Sequence, residues 1–151
     1  MRFLIILLAA TLLSACDGGQ TEYKSKQPVV DPKSPEAAIS VLHQYFDAIN
    51  AQGFVTAYQL LDDPQEPLGS LALRYDDTRH VEITFTGKPK SEGAAGNLYL
   101  TVPIKVSTTL KDGSVHLASG EAVLHRVNDV PGASQKQLTW HIKKLQLAPQ
   151  Q

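Results

Sequence analysis

The sequence predicts an α+β domain in which a pair of helices precedes a curved antiparallel sheet of about four strands. Two patterns of apolar residues and one turn signal lead to this fold class. Apolar residues recur at helical spacing early in the domain and at alternate positions through its second half. The segment Lys111-Asp112-Gly113-Ser114 carries the Asp-Gly pair that is typical of a hairpin between two strands.

Length and charge narrow the class of protein before any motif is considered. The chain has 151 residues and a formal net charge of -1, from 14 Lys and Arg against 15 Asp and Glu. This length favours one folded domain. Since the charges are balanced and form no basic cluster, no nucleic-acid partner is expected.

The N-terminus has the pattern of an export signal. Arg2 precedes an apolar run of 11 residues, Phe3 to Leu13, which is a typical length for the hydrophobic region of a secretory signal peptide. As a helix this run would rise only about 16 Å. Because the hydrocarbon core of a bilayer is about 30 Å thick, the run is too short to span it comfortably.

The run leads directly into Leu13-Ser14-Ala15-Cys16, which resembles the lipobox of bacterial lipoproteins at every position. The resemblance implies that residues 1–15 are a signal peptide and that the Cys16 thiol receives a diacylglyceryl group. The domain would then be held by its lipid on the periplasmic side of a bacterial membrane. Asp17 resembles a signal for retention in the inner membrane, without which an outer-membrane location is expected. A second interpretation is that Asp17 merely begins a polar linker.

Residues 16–33 are predicted to be the lipidated cysteine and a flexible tether. The stretch from Asp17 to Lys33 is polar, contains Gly18-Gly19 and two prolines, and has no sustained helical or strand period. A coil of this length reaches roughly 20 to 25 Å. The domain is therefore expected to stay close to the membrane surface.

The first helix is predicted to begin after Ser34, which can cap it, with Pro35 in the first helical position. Its apolar stripe comprises Ala38, Ile39, Leu42, Tyr45, Phe46 and Ile49, and Gly53 is the expected stop. A shorter second helix follows from Phe54 to Leu61. Asp62-Asp63-Pro64 is expected to end it.

Strand alternation begins at Val81, Ile83 and Phe85. A longer strand runs from Leu98 to Leu110, the hairpin returns through Val115 to Val127, and a last strand is marked by Leu138, Trp140 and Ile142. Residues 87–97 and 128–136 are predicted to be loops because they are rich in Gly, Pro and polar residues.

This order of elements resembles the nuclear transport factor 2-like superfamily. The resemblance rests on Tyr45-Phe46-Asp47-Ala48-Ile49-Asn50, on Ala57-Tyr58-Gln59-Leu60-Leu61 and on the closing Trp140-His141-Ile142. It covers residues 34–147, which leaves 148–151 as a tail. It implies a cone whose curved sheet wraps the helices around a cavity, with Tyr45, Tyr58 and Trp140 as candidate walls of a ligand pocket.

The same resemblance leaves two functions open. Some relatives are enzymes that act on small apolar substrates, and others are binding or dimerising modules. Export and lipidation favour a binding module of the cell envelope, with a small apolar ligand, an envelope protein or a second copy of the chain as partner. The alternative is a lyase, isomerase or hydrolase. No cofactor is expected, and no metal site, because the five histidines lack zinc-ligand spacing and Cys16 is the only cysteine.

Glu121 and His125 are the candidate acid–base pair for the enzyme alternative. If the Asp-Gly turn has two residues and the strand is unbroken, both side chains point into the cone. A β-bulge at Gly120 would instead bury Ala122 and Leu124 and turn Glu121 and His125 to solvent. The bulge is the favoured interpretation, because it replaces two costly buried polar groups with apolar ones.

Overall fold

The computed structural model describes residues 30–150, which form three helices followed by a five-stranded antiparallel sheet. The elements are α1 (Pro35–Asn50), α2 (Phe54–Gln59), α3 (Leu68–Arg74), β1 (Thr78–Phe85), β2 (Lys90–Ala94), β3 (Asn97–Leu110), β4 (Val115–Val127) and β5 (His141–Pro149). The predicted α+β class is confirmed. The predicted signal peptide, Cys16, Asp17 and most of the tether lie outside the described residues. Within residues 30–150, no helix combines the length and apolar character that a bilayer crossing requires.

Helix α1 begins after Ser34, the residue predicted to cap it. The Ala37 amide donates to the Ser34 hydroxyl oxygen at 3.2 Å, and Pro35 occupies the first turn. Its buried face consists of Ala38, Val41, Leu42, Tyr45, Phe46 and Ile49. The predicted stripe is confirmed except that Val41 takes the buried place expected for Ile39, which is half-buried.

The segment after α2 runs alongside the start of β5. The Ile142 amide donates to the Leu60 carbonyl at 2.8 Å, and the Asp62 amide donates to the Ile142 carbonyl at 2.9 Å. These bonds cover the edge of the sheet at that point. Helix α3, which the sequence patterns did not predict, follows this segment.

The sheet has the strand order β1-β3-β4-β5, and β2 pairs with the first residues of β3. Strand β2 falls inside the predicted loop 87–97. All five of its residues are exposed, so it lacks the apolar alternation by which a strand is recognised in sequence. The last strand begins at His141 rather than at Leu138 and ends at Pro149.

The β3–β4 hairpin turns through three residues, Lys111 to Gly113. The Leu110 amide donates to the Ser114 carbonyl at 2.9 Å, and the Gly113 amide donates to the Leu110 carbonyl at 3.0 Å. Gly113 has a φ of 88°, as the left-handed third position of such a loop requires. The expected two-residue turn is therefore wrong, and the register moves by one position.

From this turn the β3–β4 pairing continues unbroken to Asn97 and Val127. The predicted bulge at Gly120 is wrong, because Gly120 pairs in register with Ile104. Glycine is needed there for another reason: a Cβ would lie 1.8 Å from the Gln146 carbonyl oxygen of β5. The irregularity between β4 and β5 lies at Val123 and Leu124.

The core lies between α1 and the concave face of the sheet. Alternate residues of β3 and β4 contribute to it: Leu100, Val102, Ile104, Val106, Ala122 and Leu124. Among the described residues, Arg126 is the buried side chain that carries a charge. The concave face is thus filled mainly by apolar side chains.

Candidate functional site

A cleft of about 220 Å³ opens between the α2–α3 region and β5. Its inner walls are aromatic or apolar and include Tyr45, Tyr58, Leu71, Ile142 and Leu145. Its rim carries both signs of charge: Asp62, Asp63, Glu66, Arg74, Lys143 and Lys144. An apolar interior with a polar rim is the usual make-up of a small-molecule site.

Several of the rim charges are paired with one another. Arg74 forms an ion pair with Glu66, and Lys143 Nζ lies 3.7 Å from Asp62 Oδ2. The Tyr58 hydroxyl donates to the Glu66 carbonyl oxygen at 2.9 Å, which holds this wall of the cleft in place. The six rim charges sum to zero when all are ionised, three acidic against three basic.

The hydroxyl of Tyr45 stays neutral at ordinary pH. The side chain is 1% exposed, and its burial raises its pKa far above the ordinary value of 10.0, with the neighbouring Tyr75 adding to the effect. Burial also raises the pKa of Tyr75. Tyr45 is therefore a neutral and almost fully buried part of the cleft wall.

Asp62 joins this cleft to a second recess of about 320 Å³ that His125 lines. His125 Nδ1 lies 2.7 Å from Asp62 Oδ2, and its Nε2 lies 2.8 Å from Asn97 Oδ1. The His125 ring stacks on Tyr99 with centroids 4.9 Å apart. Its side chain is only 17% exposed.

The backbone explains how three distant segments meet at His125. Tyr99 and His141 pair with His125 on the two flanking strands, so their side chains share its face of the sheet. Asp62 is fixed beside β5 through its main-chain bond to Ile142. Among the described residues, no group of three or more His, Cys, Asp or Glu is placed to hold a metal ion.

Comparison with solved structures identifies the architecture. A nuclear transport factor 2-like superfamily protein from Salmonella enterica superposes with a TM-score of 0.52 at 10% identity, over 73% of this chain and 86% of that one. The domain has the nuclear transport factor 2-like fold. No protein-family model and no curated protein matches the sequence.

Two further solved structures share the nuclear transport factor 2-like fold of this chain. One, from Streptomyces avermitilis, is provisionally named a dehydratase of that family; its TM-score is 0.51 at 15% identity, over 77% of this chain and 96% of that one. The other, from Novosphingobium aromaticivorans, is provisionally named an aromatic ring hydroxylase; its TM-score is 0.54 at 12% identity, over 76% of this chain and 92% of that one. At these identities the likeness extends to the fold alone.

Glu121 and His125 do not form an acid–base pair inside this nuclear transport factor 2-like domain. Ala122 and Leu124 are buried, as the favoured interpretation expected, although the cause is the three-residue turn and not a bulge. Glu121 is exposed on the opposite face of the sheet. His125 shares that face but is not free in solvent, because Asp62 and Asn97 enclose it.

The three aromatic residues proposed as pocket walls divide into two groups. Tyr45 and Tyr58 line the cleft. Trp140 is 6% exposed within the core and does not line it. Its indole Nε1 is the one buried side-chain nitrogen or oxygen in the described part of the chain without a hydrogen-bond partner.

Sequence reasoning missed Asp62, Asn97 and Tyr99 as neighbours of His125. Asp62 and Asn97 lie 63 and 28 residues away from it along the chain. The sequence pattern marks Asp62 as a helix terminator and Asn97 as part of a loop. No spacing pattern links them; only the correct hairpin register would have placed Tyr99 opposite His125.

Proposed function

We propose that this protein is a lipid-anchored binding module of the bacterial envelope, whose cleft receives a small, neutral, amphipathic ligand. The observation that supports binding over catalysis is the environment of His125. Both of its ring nitrogens are directed at oxygen atoms within hydrogen-bond distance. A general base must direct a ring nitrogen at the substrate proton, and those of His125 are both directed at oxygens of the protein instead.

The ligand chemistry follows from the cleft. Tyr58, Leu61 and Leu145 offer a partly exposed aromatic and apolar surface, while the rim charges balance and are partly paired. A neutral ring with one hydroxyl would bury its apolar part and keep its polar atom at the rim. The volume of about 220 Å³ is below the roughly 300 to 1,000 Å³ of most ligand pockets, which favours a small ligand.

Binding of 2-naphthol tests this proposal. Chemical shifts of the Tyr58, Leu71 and Leu145 side chains should change on titration, and Tyr58→Ala should weaken binding at least severalfold. Val55→Ala is the matched control, because Val55 is 58% exposed on the same helix and lies outside the cleft. Shift changes confined to other surfaces, or equal affinity in the two variants, would contradict a site in this cleft.

The anchor is proposed from Cys16 and the export signal before it. Wild-type cells grown with an alkyne fatty acid should yield labelled protein in the membrane fraction, and Cys16→Ala should abolish the label. Density-gradient separation of the two membranes then tests Asp17: Asp17→Ser should move the protein from inner to outer membrane. Continued labelling of Cys16→Ala would contradict lipidation at this residue.

An enzyme of the lyase, isomerase or hydrolase type is the second candidate. The 2.7 Å contact between Asp62 and His125 beside the cleft favours it, as does the fold shared with a provisionally named dehydratase and hydroxylase. His125→Gln separates the two candidates, because His125 lines the second recess and not the cleft. The variant should leave 2-naphthol affinity within about twofold in a binding module, whereas an enzyme that uses the Asp62–His125 contact would lose its turnover.

A further inference from the structure

The two ring nitrogens of His125 both face hydrogen-bond acceptors. Nδ1 lies 2.7 Å from the Asp62 carboxylate and Nε2 lies 2.8 Å from Asn97 Oδ1. The orientation of the Asn97 amide is fixed independently, because its Nδ2 donates to the Ala95 carbonyl at 3.2 Å. Turning the amide over would place two carbonyl oxygens against each other.

This arrangement selects one protonation state. A neutral imidazole carries one N–H, whereas the imidazolium carries two. Only the imidazolium can donate to Asp62 and Asn97 at once. The face of Tyr99, stacked at an interplanar angle of 26°, also suits a cationic ring.

Other charged groups approach the cluster from several elements. Lys143 of β5 lies 3.7 Å from the same Asp62 oxygen that faces His125. His141 pairs with His125 on β5, and its Nδ1 is directed at the Thr139 carbonyl. Asp63 and Lys136 line the same recess.

Arg126, the next residue of β4, is occupied elsewhere. Its guanidinium donates to the Pro32 carbonyl and to Asp129, each at 2.8 Å. When the His125 ring is protonated, Asp62 has two cationic neighbours, His125 and Lys143. When the ring is neutral, Lys143 is the cationic neighbour that remains.

Loss of one proton from His125 breaks one of its two bonds. A bond to a carboxylate is charge-assisted and stronger than a bond to an amide. The remaining proton therefore stays on Nδ1, and the lone pair of Nε2 then faces the Asn97 oxygen and repels it. Relief requires Asn97 to move or turn over, which gives up its bond to Ala95.

The turn that contains Ala95 and Gly96 has a strained backbone, and contacts of the segment after β4 connect it to Lys33, the last residue of the predicted tether. Ala95 has a φ of 47° without being glycine. The Asn128 amide donates to the Gly96 carbonyl at 2.9 Å. Asp129, one residue further, forms an ion pair with Lys33.

We propose that His125 is a pH-responsive latch. Protonated, it fastens the Asp62 segment of the cleft to the turn between β2 and β3; neutral, it releases that turn. Histidine is the side chain that ordinarily changes charge between about pH 5 and 8, a range to which a protein outside the cytoplasm would be exposed. The latch as such requires only the described contacts, and its use in regulating the cleft rests on the proposed binding function.

Nuclear magnetic resonance of the full-length protein in detergent tests the latch without any ligand. At pH 5.5, the ¹⁵N shifts of His125 should show both ring nitrogens protonated. Between pH 5.5 and 8.5, exchange of the Asn128 amide, which donates to the Gly96 carbonyl, should accelerate roughly tenfold after correction for its intrinsic pH dependence. This is the factor expected for loss of one ordinary hydrogen bond. A neutral ring at pH 5.5 would overturn the proposal.

Two variants distinguish the proposed latch from a general, pH-dependent rise in amide exchange. Asn97→Ala removes the second acceptor, so exchange of the Asn128 amide should lose its extra pH dependence while the domain stays folded. His141→Gln, which alters the histidine paired opposite on β5, should keep that dependence. Equal pH dependence in wild type and Asn97→Ala would refute the latch. Because no ligand is added, failure of 2-naphthol to bind would leave this result unaffected.

Discussion

The side-chain amide of Asn50 pairs with the main chain of Val81 as a neighbouring strand would. Its Nδ2 donates to the Val81 carbonyl at 2.9 Å, and its Oδ1 accepts from the Val81 amide at 2.7 Å. Val81 lies in β1, at one edge of the sheet. Asn50 is the last residue of α1, so the two bonds also join the helix end to the sheet edge and cover part of that edge.

Replacing Asn50 with Ala should lower the free energy of unfolding by about 1 to 3 kcal/mol, because it leaves a partly buried amide and carbonyl without their partner. Urea denaturation measures the loss. Gln44→Ala is the control, since Gln44 is exposed on the same helix and bonds only to Ser40. Equal stability of the two variants would show that water replaces the Asn50 amide at no cost.

Gly120 should tolerate no side chain. A Cβ at this position, 1.8 Å from the Gln146 carbonyl oxygen, would force β4 and β5 apart. Gly120→Ala should therefore cost at least about 1 to 3 kcal/mol, the usual range for overpacking, or prevent folding. Thermal unfolding followed by circular dichroism measures the change.

Gly69→Ala is the matched control for that experiment. Gly69 lies within α3, and a Cβ there would meet no atom within 4 Å. Since alanine favours helix more than glycine, this variant should be more stable by roughly 0.4 to 1 kcal/mol. A destabilised Gly69→Ala together with a neutral Gly120→Ala would contradict the packing described for both positions.

The sequence predicted those features that depend on periodicity. The stripe from Ala38 to Ile49 marks α1, and alternation from Leu100 to Val106 marks the buried face of β3. Both signals arise because each residue's burial follows from its position within one element. Strand β2 has no buried residue and therefore gave no such signal.

Features that depend on register could not be predicted in the same way. An Asp-Gly pair occurs in hairpin turns of two residues and in turns of three. The length of the turn sets the register, and the register decides whether Glu121 or Ala122 faces the core. The contact of His125 with Asp62 and Asn97 depends further on how the chain after α2 lies beside β5. Contacts of this kind cannot be predicted from the spacing of residues within one helix or strand.

Arg126 should hold the start of the domain to β4. It is 2% exposed, and its Nη1 donates to the Pro32 carbonyl at 2.8 Å. Arg126→Leu removes this bond, so hydrogen exchange at the Lys33 and Ser34 amides should accelerate. Hydrogen bonds of charged groups contribute about 1.5 to 3 kcal/mol, so stability should fall by a similar amount.

The exposed Arg79 at the start of β1 supplies the control for Arg126. Arg79→Leu removes the same charge without touching Pro32, and exchange at Lys33 and Ser34 should stay as in the wild type. Unchanged exchange in Arg126→Leu would mean that the cap of α1 alone fixes these residues.

Alkaline pH should lower the stability of the domain, because two of its tyrosines are buried. Burial raises the pKa of Tyr45 above the ordinary 10.0, and it raises that of Tyr75 in the same direction. Below pH 10 the tyrosines keep their protons in both the folded and the unfolded state, so they do not make the free energy of unfolding depend on pH. Above it the unfolded chain ionises first, and stability falls by about 1.4 kcal/mol per pH unit for each such group until the folded state also ionises.

Urea denaturation at pH 9, 10 and 11 measures this decline. Tyr45→Phe should make the slope shallower above pH 10, because phenylalanine fills the same space and cannot ionise. Tyr99→Phe leaves Tyr45 and Tyr75 in place and should keep the wild-type slope. If Tyr45→Phe declines as steeply as the wild type, the Tyr45 hydroxyl ionises as readily in the folded protein as in the unfolded chain, and its burial does not determine the alkaline stability of the domain.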